Sequence, residues 1–147
     1  MVFLGTNCLN NSEIDLKVSK EEESVAKYGG APVYYFDVLN VDKDKIGVAE
    51  LRVGHNDELY YYGNIFVKID PRYEGFKYGY KVSKLLLKLA KKHEMGYVSI
   101  TCKEDDYKCK STCEQLGMKL LDVATLPDNH PIHRMGIDKA SIYVLDI

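Results

Sequence analysis

From Tyr78 to His93 the apolar residues Val82, Leu85, Leu86, Leu89 and Ala90 recur at intervals of three and four. Lys77, Lys81, Lys84, Lys88, Lys91 and Lys92 fill the other side. That period predicts an amphipathic helix with one buried stripe and one lysine-rich face. Just before it, Ile65, Val67 and Ile69 alternate with Asn64, Phe66 and Lys68, which predicts a strand that Pro71 stops.

The same reading extends over the chain. Ile14, Leu16 and Val18 alternate in a first strand, residues 12–18. Ser19 and Glu22 have the spacing of a capping box, so Ser19 to Tyr28 is expected as a short helix ending at Gly29-Gly30. Residues 33–40 and 46–53 are β-rich and bracket the polar stretch 41–45, as an antiparallel hairpin would. Leu59 to Gly63 is expected to open the central strand, with Gly63 marking a bulge or a close backbone approach. Tyr97 to Cys102 predicts a strand parallel to the central one through a right-handed crossover. A helix from Tyr107 to Leu116 follows, capped by Asp105 or Asp106 and ended by Gly117. Met118 to Val123 and Ala140 to Asp146 predict two further strands, separated by a long loop, residues 124–138, that carries His130 and His133.

A chain of 147 residues suits one domain, 1–147, with a proper core. A formal net charge of −2 gives no general argument for nucleic acid. No apolar run approaches a membrane span, and Met1-Val-Phe-Leu-Gly lacks a charged region ahead of a long apolar one, so a cytoplasmic location is expected. The cysteines Cys8, Cys102, Cys109 and Cys113 form no C-x-x-C. Cys109 and Cys113 share a helix face and could meet Cys102 at a metal, but they read better as buried thiols packing as small hydrophobes, and no metal is expected.

The chemistry centres on the turn between the central strand and the lysine-faced helix. Gly75 and Gly79 free the backbone for positive φ and close approach, and the first N–H groups of the helix open onto the same turn. Such a turn suits an anion such as phosphate, or is simply a tight β–α connection. Glu50 and Arg52, two apart on one strand, share a face. They form either a plain ion pair or a carboxylate placed for proton transfer.

Ile69, Pro71, Tyr73, Gly75 and Gly79, followed by a Leu-rich helix, a strand, Asp106 and then Glu114, Leu116, Gly117 and Met118, resemble the motifs of the GNAT N-acetyltransferases. That family's acetyl-CoA motif runs V-x-P-x-Y-R-G-x-G-x-G, with a downstream N-x-x-(A/S) helix. The resemblance covers residues 33–147. It implies an α/β fold: a mixed, mostly antiparallel sheet with a parallel strand pair at its centre and helices on both faces. It implies acetyl-CoA as cosubstrate, with the pantetheine pairing along Val67, Lys68 and Ile69. The diphosphate would lie on Glu74, Gly75, Phe76, Lys77, Tyr78, Gly79 and Tyr80, and Asp106 at the position of the family's asparagine. Glu50 takes the place of a general base, and Cys113 stands where many members carry a tyrosine acid. Glu74 replaces the usual Arg or Gln, and Lys77 occupies the central glycine position. The acceptor implied is an amine-bearing small molecule or peptide, with neither nucleic acid nor membrane as partner, in a monomer or homodimer. The alternative is a CoA-binding module of the same fold with weakened catalysis.

Overall fold

The computed structural model describes residues 1–147. Strands β1 (Ile14–Val25), β2 (Ala31–Asn40), β3 (Lys45–Arg52) and β4 (Ile65–Ile69) form one antiparallel sheet in that order. Strands β5 (Tyr97–Lys103), β6 (Lys119–Thr125) and β7 (Lys139–Asp146) form a second, in the order β5-β7-β6, again antiparallel. Helices α1 (Asp57–Tyr62), α2 (Tyr78–Lys92), α3 (Tyr107–Gln115) and α4 (Pro131–Arg134) connect them. The architecture is the α/β arrangement with flanking helices that the sequence implied, but every ladder is antiparallel, and β4 and β5, expected as a parallel pair at the centre of one sheet, belong to separate sheets.

Helix α2 buries Val82, Leu85, Leu86, Leu89 and Ala90, in one cluster with Phe36, Val38, Ala49 and Leu51 of the first sheet. Each large side chain so buried contributes about 1.5–3 kcal/mol. The cluster continues through Val98, Ile100 and Cys102, so both sheets share one core. The segment before β1 closes its end. Leu9 is buried, and the Phe3 ring stands edge-on to Tyr34 at 4.9 Å.

Tyr34 Oη lies 2.6 Å from His93 Nε2 at the end of α2, and burial holds the His93 pKa below the ordinary 6.5. The neutral imidazole therefore belongs to the fold, while the unfolded chain protonates first. Its contribution is present above pH 6.5 and is lost as pH falls through the lower folded value. His93→Gln should flatten the fall in Tm between pH 7.5 and 5 relative to the parent; parallel curves would show that another group sets the slope.

The structure departs from the sequence expectation in several places. Ser19 to Tyr28 is not a helix. β1 runs on to Val25, pairing Lys20, Glu21 and Glu22 with Tyr35, Tyr34 and Val33, and only a 3-10 turn, Ala26–Tyr28, follows. Ladder bonds along β2 outweigh a local capping signal worth about 1 kcal/mol. Leu59 to Tyr62 is helical rather than extended. The Asn56 side chain accepts from Leu59 N–H at 2.8 Å, and Asp57 and Glu58 suit a helix start, so the cap overrides the β preference of three tyrosines. Gly63, with φ of 81°, ends that helix instead of bulging a strand. A Cβ there would meet Thr101 N at 3.1 Å, so the close backbone approach is real. The closing strand β7 lies in the middle of its sheet, and β6 is an edge strand. In the long loop, His130, buried, caps α4 and lies 3.1 Å from Glu58.

Candidate functional site

The two sheets meet at one point and then part. Asn64 N–H donates to Ser99 O at 2.9 Å, and the Asn64 side chain accepts from Ser99 N–H at 2.9 Å. The only strand-like bridge between the sheets is Gly63 with Ile100. Two bonds flanking the β3–β4 ladder set its phase: Arg52 N–H to Asn64 O at 2.7 Å and Asp70 N–H to Ile46 O at 2.8 Å. Even-numbered residues of β4 therefore bond to β3. The N–H and C=O groups of Ile65, Val67 and Ile69 turn to the open side, where no strand covers them.

A cleft of about 660 Å³ occupies that open side. β4, the turn after it and the start of α2 form one wall, and the exposed face of α3 forms the other. The turn begins where Asp70 caps the 3-10 turn Pro71–Tyr73 by accepting from Arg72 N–H at 3.0 Å. Gly75 then takes φ of 91° and Lys77 φ of 58°, both left-handed. At Lys77 no side chain caps the helix. From Gly75 to Tyr80 six successive N–H groups have no main-chain acceptor; the first helical bond upstream of the regular ladder is Lys81 N–H to Lys77 O at 3.1 Å. A run of such donors at a helix N-terminus makes a concave anion site that needs no particular side chain. Lys68, Lys77 and Lys108 add positive charge along the lining.

Most of the residues singled out for the cofactor converge here. Val67, Lys68, Ile69, Glu74, Gly75, Lys77, Tyr78, Gly79, Tyr80 and Asp106 all line the cleft. Phe76 does not line it, and is instead exposed with its ring 5.6 Å from that of Tyr78. The carboxylate of Glu74 is paired with Lys108 of α3, on the other wall of the cleft. Asp106 caps α3 by accepting from Cys109 N–H at 3.1 Å. The face Lys108, Ser111, Thr112 and Gln115 also lines the cleft and was not singled out from the sequence. Its signal was the i, i+3, i+4 spacing on a helix that begins at Asp106. Cys109, three residues after Asp106, falls where the N-x-x-(A/S) motif carries its small residue.

The two residues proposed for proton transfer lie outside that lining. Glu50 shares the sheet face of its cross-strand partner Phe66, opposite the face of Val67. Its Oε1 accepts from Tyr28 Oη–H at 3.1 Å and lies 3.4 Å from Arg52 Nε. Arg52, buried, stacks 4.2 Å from the Tyr28 ring centroid and donates to Tyr62 O at 2.8 Å, beside the point where the sheets part. Burial pushes the Tyr28 hydroxyl up to about 12. Cys113 is fully buried, and desolvation pushes its thiol up to about 12. The cysteines do not simply pack as thiols. Cys102 and Cys109 form a disulfide, because the end of β5 and the first turn of α3 bring their Cα atoms to 5.7 Å.

No family sequence model and no curated protein sequence match the chain. Solved structures do. A GNAT-family acetyltransferase from Bacillus anthracis superposes with TM-score 0.60 at 16% identity, over 76% of this chain and 65% of its own. RimL, a ribosomal α-N-protein acetyltransferase solved in complex with coenzyme A, gives TM-score 0.62 at 13% identity, over 78% and 62%. SpeG, the spermidine/spermine N-acetyltransferase of Vibrio cholerae, gives 0.59 at 12%, over 78% and 66%. The matched region thus spans less than two thirds of the Bacillus anthracis and RimL chains. Sheets that part beside Asn64, a donor-lined turn at Gly75 to Tyr80 and these superpositions lead to one conclusion: this chain has the fold of the GNAT acetyltransferases.

Proposed function

We propose that the protein is an N-acetyltransferase that moves an acetyl group from acetyl-CoA to a primary amine. The observation that carries this reading is a run of six N–H groups without a main-chain acceptor in a turn of which Gly75, Lys77, Tyr78, Gly79 and Tyr80 line a cleft walled by the free edge of β4. Such a run suits the diphosphate of CoA, and the outward N–H and C=O groups of Val67 and Ile69 suit pantetheine amides pairing as an added strand. Lys77 supplies charge where the family carries glycine, and the ion pair with Lys108 offsets the negative charge of Glu74.

The amine reaches the parting of the sheets from the opposite face, where the Glu50 carboxylate stands beside Tyr28, Tyr35 and Phe66. An alkylammonium with a pKa near 10 must lose a proton before it attacks, and Glu50 is the base, directly or through water. The amine nitrogen then bonds to the thioester carbon while the Val67 N–H polarises the carbonyl oxygen; the nitrogen gives up its second proton to water, and the C–S bond breaks to leave an amide and CoA thiolate. That thiolate takes its proton from solvent at the cleft mouth. A Cys113 thiol near 12 is a weaker acid than an ordinary thiol near 8.5, so it is a poor donor.

Calorimetric titration with acetyl-CoA tests the reading. The parent should bind, and Gly75→Pro should bind roughly 10- to 100-fold more weakly, since a proline can neither adopt φ of 91° nor offer its N–H to a phosphate, a bond worth about 1.5–3 kcal/mol. A parent that does not bind acetyl-CoA would exclude the enzyme and the weakened CoA-binding module together.

A further inference from the structure

Three sulfurs converge where the end of β5 meets the first turns of α3. Those of Cys102, Cys109 and Cys113 all lie within 4.8 Å of one another. Cys102 and Cys109 are joined as a disulfide, and Cys113 Sγ stands 3.8 Å from Cys102 Sγ. Their access differs sharply. Cys102 and Cys113 are sealed in the core, while Cys109 is half-buried and lines the cleft. Of the two disulfide members, Cys109 is therefore the one open to a dissolved thiol, from the cleft that it lines.

We propose that Cys109 is a thiol-modification site, at which free CoA, the product of acetyl transfer, opens the Cys102–Cys109 disulfide to form a mixed disulfide in its own binding cleft. This inference rests on the cleft being the CoA site. The CoA thiolate attacks Cys109 Sγ, a CoA–S–S–Cys109 bond forms, and the bond to Cys102 Sγ breaks. Cys102 leaves as a thiolate and takes up the proton that CoA gave up. The disulfide itself supplies the oxidising equivalent, so no further reagent enters. Cys113, although closer than any solute, does not compete as the attacking thiol, because burial keeps it protonated. Acetyl-CoA has no free thiol and cannot react. The site thus distinguishes product from substrate, and the adduct, seated where the next acetyl-CoA would bind, stops turnover until a reductant releases it.

The test uses the oxidised 147-residue chain carrying Cys8→Ser, which removes the one exposed free thiol, followed by intact-mass spectrometry without reductant. The chain should first weigh two hydrogens less than its reduced form. With CoA it should then gain the mass of one CoA, mapped to Cys109 and released by dithiothreitol. Acetyl-CoA should add nothing, and glutathione at equal concentration should react at least about tenfold more slowly, because only CoA is held in place. Absence of the disulfide, an adduct on Cys102, or glutathione reacting as fast as CoA would overturn the proposal. Acetyl-CoA binding by calorimetry with no CoA adduct would sink the modification site alone, whereas loss of both would sink the cofactor reading beneath it.

Discussion

Glu50→Gln should lower kcat by roughly 10²- to 10⁴-fold, the usual contribution of a positioned base, while acetyl-CoA binds as it does to the parent. The substitution is nearly isosteric. A glutamine Oε1 can still accept from the Tyr28 hydroxyl at the place where the carboxylate does so at 3.1 Å. What it loses is the capacity to take a proton from the incoming ammonium. Glu50 lies on the face opposite Val67, so the cofactor wall is untouched and the dissociation constant for acetyl-CoA should not move. A fall in kcat with unchanged acetyl-CoA affinity would separate proton transfer from binding. Unchanged turnover would leave Glu50 with a structural role, that of neutralising Arg52, whose guanidinium is buried among Tyr28, Tyr62 and Phe66 and holds the carbonyls of Tyr62 and Gly63. That role predicts a lowered Tm for Glu50→Gln, so a thermal scan beside the kinetics tells the two apart.

The parts of this fold that were legible in the sequence are those where one periodic signal stood alone. Val82, Leu85, Leu86, Leu89 and Ala90 could only face one way on a helix, and all five are buried. Gly75 and Gly79 marked a turn between strand and helix; Gly75 does take a positive φ, and both line the cleft. The misreadings came where two signals competed and tertiary structure decided. Ser19 and Glu22 spell a helix start, but the same residues can pair with β2, and the sheet won. Tyr60, Tyr61 and Tyr62 favour a strand, but Asn56 caps a helix just upstream. The disulfide was illegible for a different reason. Cys102 and Cys109 are seven apart across a change from strand to helix, and no spacing rule anticipates how tightly that corner closes. The α3 wall of the cleft was readable in principle from Asp106 onward. The pairing of Lys108 with Glu74 across 34 residues was not, because only the folded chain brings them together.

The second large effect is expected at Asn64, which ties the two sheets together where they begin to part. Its side chain is fully buried. Its amide donates to Arg52 O at 2.9 Å and Gly54 O at 2.8 Å, and its oxygen accepts from Ser99 N–H at 2.9 Å and Ser99 Oγ–H at 3.1 Å. All four bonds use the amide's full capacity of two donors and two lone pairs. Asn64→Ala strands the Ser99 N–H, an interior donor with no alternative partner in the β5–β7 ladder's gap, and leaves the carbonyls of Arg52 and Gly54 short of a donor. Each unsatisfied group costs about 1–3 kcal/mol, so the three together cost roughly 3–9 kcal/mol, and Tm should fall by roughly 10 °C or more for a chain of this size. Asn64→Asp separates the two halves of the effect: the carboxylate still accepts from Ser99 but cannot donate to Arg52 or Gly54. A loss below about 1 kcal/mol for the alanine variant would mean that water replaces the amide at the junction. Where the loss is large, the same bonds fix the angle at which β4 and β5 diverge. Acetyl-CoA affinity should then fall in the folded fraction of Asn64→Ala as well, because the free edge at Val67 and Ile69 is held open only while the sheets are pinned behind it.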